Sequence, residues 1–263
     1  MRLVFIGDIV GNPGRKLLNQ VLPELRKEKG IDFCVANGEN SSGGNGITYG
    51  SATEIFEAGI DVITTGNHVW GKKEALTFID NERRILRPAN YPPDLPGKGS
   101  GVYKTANTKG LYIGVLNVMG RVFMEPLDCP FRIAVKEVEY LKSFTNIIIV
   151  DMHAEATSEK CALGWYLDGR VSCVIGTHTH IQTSDEKILP EGTGYITDAG
   201  MTGPYSGILG IDRHVIIDKF LKHMPIRFEV AKGQVQLNGI IFDVDENTGK
   251  TTAIERLSIV SDI

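Results

Sequence analysis

The chain has little that would anchor it outside itself. It has only four cysteines in 263 residues, with no CxxC pair, and Cys34 and Cys173 lie inside apolar runs. That excludes a disulfide framework and predicts reduced core thiols in a cytoplasmic protein. The N-terminus, MRLVFIGDIVG, offers one basic residue and a short apolar run before Gly7, too short for a secretion signal. No other run approaches a membrane span. An excess of positive charge is also missing. The formal net charge is −4, and basic pairs such as Arg26-Lys27 and Arg83-Arg84 have acidic neighbours. Attraction to a nucleic-acid backbone through bulk charge is therefore excluded, and an anionic ligand has to be captured locally.

What is present is a rhythm without internal repeats or low-complexity linkers, which places residues 1–263 in one domain. LVFI reads as a strand, and Asn12-Pro13 as the N-cap and first-turn proline of a helix. That helix has Leu17, Leu18, Val21, Leu22 and Leu25 on one face and is closed by Gly30. DFCVA and DVITT read as further strands, separated by a glycine-rich loop and a helix capped near Thr48; a helix over Lys72–Ile79 follows. After PANYPPDLPGKGSG, strands are expected around Val102–Lys104 and Leu111–Val118, then at NIIIV, VSCVI and GYIT. From Ile226 onward the chain reads as strands, with VQLNGIIFDV and TTAIERLSIV forming a hairpin whose alternation implies one buried face. The class is α/β, with two sheets packed face to face and helices outside.

Histidine is scarce, six in all, yet two occur in GTHTH as His178 and His180. If the strand ends at Gly176, side chains at i and i+2 share a side and the two rings converge. Other apolar strands also end in groups able to bind metal: LVFIG in Asp8, FCVANG in Glu39-Asn40, VITTG in Asn67-His68 and IIIVDM in His153. Parallel strands would bring these ends to one rim, where ligands bind in open α/β sheets. Four histidines, two carboxylates and two asparagines exceed what one four-coordinate ion uses, and they suit two ions sharing a carboxylate. Asp8 and Glu39 would leave two divalent ions with residual positive charge, which attracts phosphate.

The ordered set GD, GEN, GNH, MH and GTHTH resembles the calcineurin-like metallophosphoesterases, and specifically their small bacterial YmdB family. The resemblance runs through FIGDIVGNPGR, RPANYP, DMHAEATSEK and TDAGMTGPY. The superfamily's usual Asp-x-His becomes Asp8-x-Val10, and its bridging aspartate becomes Glu39; both departures are shared by the YmdB-like pattern. The resemblance implies a four-layer α/β/β/α sandwich of two mixed sheets flanked by helices. It also implies two divalent ions, manganese, iron or zinc, one held by Asp8, Glu39, Asn40 and His180, the other by Glu39, Asn67, His153 and His178. The implied activity is hydrolysis of 2′,3′-cyclic and 3′,5′-cyclic nucleotides by in-line attack of a metal-bridging hydroxide, with His68 as general acid.

Rival readings are a nuclease, for which a basic track is missing, a phosphomonoesterase, and a regulatory nucleotide-binding protein with incidental turnover. The expected partner is a small phosphoester, with neither membrane nor nucleic acid. The oligomeric state stays open, a homo-oligomer included. The SSGGNG loop reads equally as a phosphate approach or a plain turn, Tyr205 as a base-stacking or a loop-packing residue, and His214 and His223 as surface residues.

Overall fold

The computed structural model describes residues 1–105 and 110–262. Its plan follows from the two-residue period of strands. In β1 (Arg2–Ile6), Leu3 and Phe5 enter one apolar cluster while Val4 and Ile6 enter another. β3 (Phe33–Asn37) repeats the pattern, with Phe33 and Val35 on one face and Cys34 and Ala36 on the other. Strands apolar on both faces must be covered twice.

The first sheet runs β2 (Asp8–Ile9), β12 (Met201–Pro204), β13 (Val235–Val244), β1, β3, β4 (Val62–Thr64) and β5 (Ile85–Leu86), with β14 (Thr251–Ser261) paired to β13. β1, β3, β4 and β5 are parallel, whereas β13 meets β1 antiparallel. The second sheet runs β10 (Lys187–Ile188), β11 (Gly194–Ile196), β9 (Cys173–Thr177), β8 (Ile148–His153), β7 (Tyr112–Met119) and β6 (Ser100–Lys104). Its four inner strands are parallel and both edge pairings antiparallel.

Three apolar clusters separate four layers. Helices α1 (Gly11–Lys29), α2 (Tyr49–Glu57) and the one-turn α3 (Ala75–Phe78) bury Leu17, Leu18, Leu22, Ile55 and Ala75 in the cluster outside the first sheet. Between the sheets, Leu3, Phe5 and Val35 meet Val115, Ile149 and Ile175. Outside the second sheet, α4 (Pro130–Lys142) and α5 (Thr157–Tyr166) bury Val138, Leu141 and Leu163. The α/β/β/α arrangement of two mixed sheets is therefore as expected. Cys34 and Cys173 are buried free thiols. No helix among the described residues is long and apolar enough to cross a membrane.

Three local expectations are corrected. The first helix begins at Gly11, not at an Asn12 cap, because Val10 and Gly11 donate their backbone N–H groups to the carbonyls of Thr202 and Asn40. Tertiary backbone bonds replace the side-chain cap. The hairpin of β13 and β14 forms, but β13 is buried on both faces because it lies inside the first sheet between α1 and the second sheet. Between α6 (Arg213–Lys222) and β13 the chain forms only an isolated bridge, at Val230, in place of a strand.

Gly14 illustrates how closely α1 packs: a Cβ there would stand 2.2 Å from the Thr202 carbonyl oxygen, whereas one at Gly50 meets nothing within 4 Å. Gly14→Ala is expected to destabilise the fold by about 1–3 kcal/mol through overpacking. Gly50→Ala in α2 is expected to stabilise it by about 0.5–1 kcal/mol. Denaturant midpoints of the two variants check the opposite signs.

Candidate metal centre

The C-terminal ends of β1, β3, β4, β8 and β9 meet at one rim between the sheets. At Gly7 the chain leaves β1 against Gly200, where a Cβ would lie 2.1 Å from a carbonyl oxygen, and Asp8 then enters β2 beside β12. β3 is followed by Glu39 and Asn40, β4 by Asn67 and His68, and β9 by His178 and His180, while His153 ends β8. Every site residue expected from the sequence arrives at this rim.

Four donor atoms face one another there. His153 Nε2 lies 3.0 Å from Asn67 Oδ1, 3.1 Å from His178 Nδ1 and 3.3 Å from Glu39 Oε1. Glu39, His153 and His178 form a group whose ligand atoms lie within 4.8 Å of one another. Beside it, Asn40 Nδ2 is 3.0 Å from Glu39 Oε1 and 3.2 Å from His180 Nε2. As a ligand, Asn40 must present Oδ1 on that side, a half-turn of an amide whose oxygen now faces His68 Nδ1 at 2.8 Å. Asp8 accepts the His178 backbone N–H at 3.1 Å through Oδ2, while its buried Oδ1 has no hydrogen-bond partner among the described residues. Gly66 keeps the centre open: a Cβ there would lie 2.1 Å from His153 and 2.5 Å from Glu39.

Charge at the rim is shared between buried carboxylates and imidazoles. Burial opposes ionisation of Glu39, but His153 and His68 outweigh it and hold the carboxyl well below its ordinary range. Burial likewise opposes charge on His153, yet Glu39, Asp8 and Asp151 push it up to about 9. His178 is pulled down to about 3 by burial and by the neighbouring His153 charge, so it keeps a free lone pair. Burial raises Asp8. A proton on His153 thus occupies the place that the converging lone pairs and the orphaned Asp8 oxygen suit to a metal ion.

The two GTHTH rings do not converge by strand alternation. β9 continues through Thr177, and His178 and His180 lie beyond it with φ of 99° and 65°. This left-handed backbone is strained for non-glycine residues and recurs at functional sites. It turns His178 toward His153 and His180 toward Asn40, with His180 Nδ1 donating to the Leu209 carbonyl at 3.1 Å.

Supporting residues escaped the reading of the sequence. Asp151, fully buried, accepts from Thr64 at 2.5 Å, Thr177 at 2.7 Å and Asn37 at 3.1 Å, and burial pushes it up to about 6. Thr177 Oγ1 in turn lies 2.9 Å from His153 Nδ1. Alternation carried the signal, since Asp151 sits two residues before His153 on one buried strand face. Glu155 holds His178 Nε2 at 3.1 Å. Beneath the GTHTH turn, the buried Lys160 ammonium donates to Asp198 at 2.6 Å, and the same carboxylate takes the Thr179 N–H at 3.1 Å and hydroxyl at 2.6 Å. Both residues fall inside quoted motifs, but no local pattern pairs them. Gly43, Gly44 and Gly46 have positive φ, so the SSGGNG loop is a turn that needs glycine. Tyr205 is half-exposed, and His214 and His223 are exposed at α6.

Comparison with known proteins agrees with this fold. A family model described as YmdB-like protein matches residues 4–257. A 2′,3′-cyclic-nucleotide 2′-phosphodiesterase of Bacillus subtilis (strain 168) is 50% identical over 262 residues, covering 100% of this chain and 98% of that protein. The crystal structure of a novel phosphatase from Mycoplasma pneumoniae superposes with a TM-score of 0.92 at 35% identity, covering 100% of this chain and 94% of that one. That of a hypothetical protein from Thermus thermophilus gives 0.91 at 39% identity and 99% coverage of both chains.

Two outcomes are expected. Because His153 is raised above the ordinary 6.5 to about 9, it stabilises the metal-free fold below pH 6.5, and that contribution is lost as pH rises through 9. Manganese binding at pH 8 should therefore release about one proton. Calorimetry in buffers of different ionisation heat reads this, and zero release contradicts a protonated His153. Separately, Lys160→Met leaves Asp198 buried and unpaired and should lower stability by about 3–5 kcal/mol. Adding Asp198→Leu removes the uncompensated charge but leaves the Thr179 N–H and hydroxyl and the Gly200 N–H without their acceptor, so it should recover stability only in part and manganese affinity not at all.

Proposed function

The chain belongs to the YmdB-like family, and from that premise we propose that it is a metal-dependent phosphodiesterase opening the 2′ P–O bond of 2′,3′-cyclic nucleotides, with residues 1–263 acting as one catalytic domain. The observation that carries the reading is the convergence of Glu39, Asn67, His153 and His178 donor atoms beside the unpartnered Asp8 oxygen. Asp8, Glu39, Asn40 and His180 would hold one divalent ion and Glu39, Asn67, His153 and His178 the other, with Glu39 shared. Manganese, iron and zinc all suit this mixed set of oxygen and nitrogen ligands. Such ions supply Lewis acidity toward a phosphoryl group.

His68 does the protein's own proton work. Glu39 holds it twice, taking its backbone N–H at 3.0 Å and facing Nδ1 at 3.2 Å. Nδ1 is taken up by Glu39 and Asn40, which leaves Nε2 as the nitrogen able to present a proton to a substrate. The ring is 37% exposed, the access a substrate needs. A ribose hydroxyl is a poor leaving group, so a proton from Nε2 to the departing 2′ oxygen is worth about 10²–10⁴-fold. Asp151, through Thr177, and Glu155 fix the rings of His153 and His178, which keeps the ligand set in register.

The test is turnover of 2′,3′-cyclic AMP by manganese-loaded protein, with 3′,5′-cyclic AMP alongside. Asp8→Ala should abolish it. His68→Ala should keep its manganese and lose about 10²–10⁴-fold on the cyclic nucleotide, but far less on a p-nitrophenyl phosphodiester, whose leaving group needs no proton. Equal losses on both substrates remove His68 as the proton donor. Absence of turnover by loaded wild-type protein overturns the reading in favour of a nucleotide-binding role.

A further inference from the structure

Among the described residues, five other than glycine take positive φ: Phe123, His178, His180, Leu209 and His223. His223 ends α6, His178 and His180 belong to the metal centre, and the Leu209 carbonyl takes His180 Nδ1. Phe123, with φ of 61°, belongs neither to the ligand set nor to the core. It is 90% exposed, more than any other large apolar side chain described. A bulky residue in this region is strained, and such strain recurs at functional sites.

The loop that carries it is fastened to the site on both sides of the ring. Met119, the last residue of β7, lies opposite His153, and the Gly120 N–H donates to the His153 carbonyl at 3.0 Å. Glu159, buried in the first turn of α5, then accepts the Arg121 N–H at 3.1 Å on each oxygen and the Val122 N–H at 3.2 Å. Beyond the ring, the Met124 N–H closes the turn on the Arg121 carbonyl at 3.3 Å, and Met124 Sδ takes the Glu155 N–H at 3.3 Å. Glu155 is the residue that holds His178 Nε2. A ring so exposed adds nothing to packing, so the fold by itself gives no reason for a strained phenylalanine on a pinned loop beside the metal centre.

We propose that Phe123 is the platform on which the base of the nucleotide stacks, an inference that rests on the phosphodiesterase reading and names the residue that selects nucleotides over base-free phosphoesters. With the phosphate among Glu39, His153 and His178, the base stands one ribose away. Two side chains, Glu155 and Met124, separate His178 from the Phe123 turn, which is a distance of the same scale. Every base has a π-face, so a single exposed ring binds purines and pyrimidines alike. Tyr205 is the rival aromatic. Met201 pairs with Asp8, and Tyr205 follows four residues further along β12, roughly 13 Å from the level of Asp8.

The test is calorimetric titration of the full manganese-loaded chain with adenosine 3′-phosphate, the product of opening the 2′ P–O bond, and with ribose 3-phosphate, which lacks the base. Wild-type protein should bind the nucleotide about tenfold more tightly than the sugar phosphate. Phe123→Ala should lose that margin with ribose 3-phosphate affinity and circular dichroism unchanged, and Phe123→Trp should keep it. Phe123→Gly, which removes the ring and also relieves the positive φ, should match Phe123→Ala. No margin in wild-type protein, a margin that survives Phe123→Ala, one that Tyr205→Ala erases instead, or an equal loss of ribose 3-phosphate affinity each overturns the proposal. Binding is read without turnover. Turnover of 2′,3′-cyclic AMP with a margin independent of Phe123 defeats the platform alone, whereas a margin carried by Phe123 without turnover defeats the phosphodiesterase reading alone.

Discussion

Buried negative charge at the junction of the two sheets is the constraint on which the rest of the structure depends. Asp8, Glu39 and Asp151 are all essentially inaccessible to water, in a region whose other walls are Leu, Ile, Val and Phe. Isolated carboxylates there would be prohibitively costly. Two of the three are answered within the protein: Asp151 by Thr64, Thr177 and Asn37, and Glu39 by His68 and His153. Asp8 is hydrogen-bonded on one oxygen only, the other facing His153 Nδ1 at 3.9 Å. The remaining imbalance has the sign that a cation would correct.

Holding such a cluster requires a backbone that gives no ground. Gly7, Gly66 and Gly176 each let one segment approach another to distances no side chain allows: 2.1 Å to the Gly200 carbonyl oxygen, 2.1 Å to His153 and 1.7 Å to the Thr197 carbonyl oxygen from a hypothetical Cβ. The left-handed turns at His178 and His180 are tied at their middle residue by the Lys160–Asp198 pair. A fully buried ion pair is a poor source of net stability. Here its carboxylate, with two further donors from Thr179, acts as the peg from which His178 and His180 hang. The strain and the peg belong together, since positive φ persists only where the surroundings over-determine it.

Both sheets contribute to the centre, which is why the four-layer arrangement matters to the chemistry. The first supplies Asp8, Glu39, Asn40, Asn67 and His68; the second supplies His153, His178 and His180. Neither sheet carries the whole group.

Much of this could be read in one dimension. Apolar runs of period two, leucines at helical spacing and the closing glycine of α1 are local properties, and so is the position of a polar residue just after a strand. They determined the α/β class, the paired sheets and the set Asp8, Glu39, Asn40, Asn67, His68, His153, His178 and His180. Tertiary structure decided what depends on partners distant in sequence. It moved the start of α1 to Gly11 through bonds to Asn40 and Thr202, and buried β13 on both faces. It chose left-handed backbone over strand alternation for the GTHTH rings, and paired Lys160 with Asp198 across 38 residues. Periodicity reports which face a side chain takes, but close approach, backbone strain and the partner of a buried charge are set only when the segments meet.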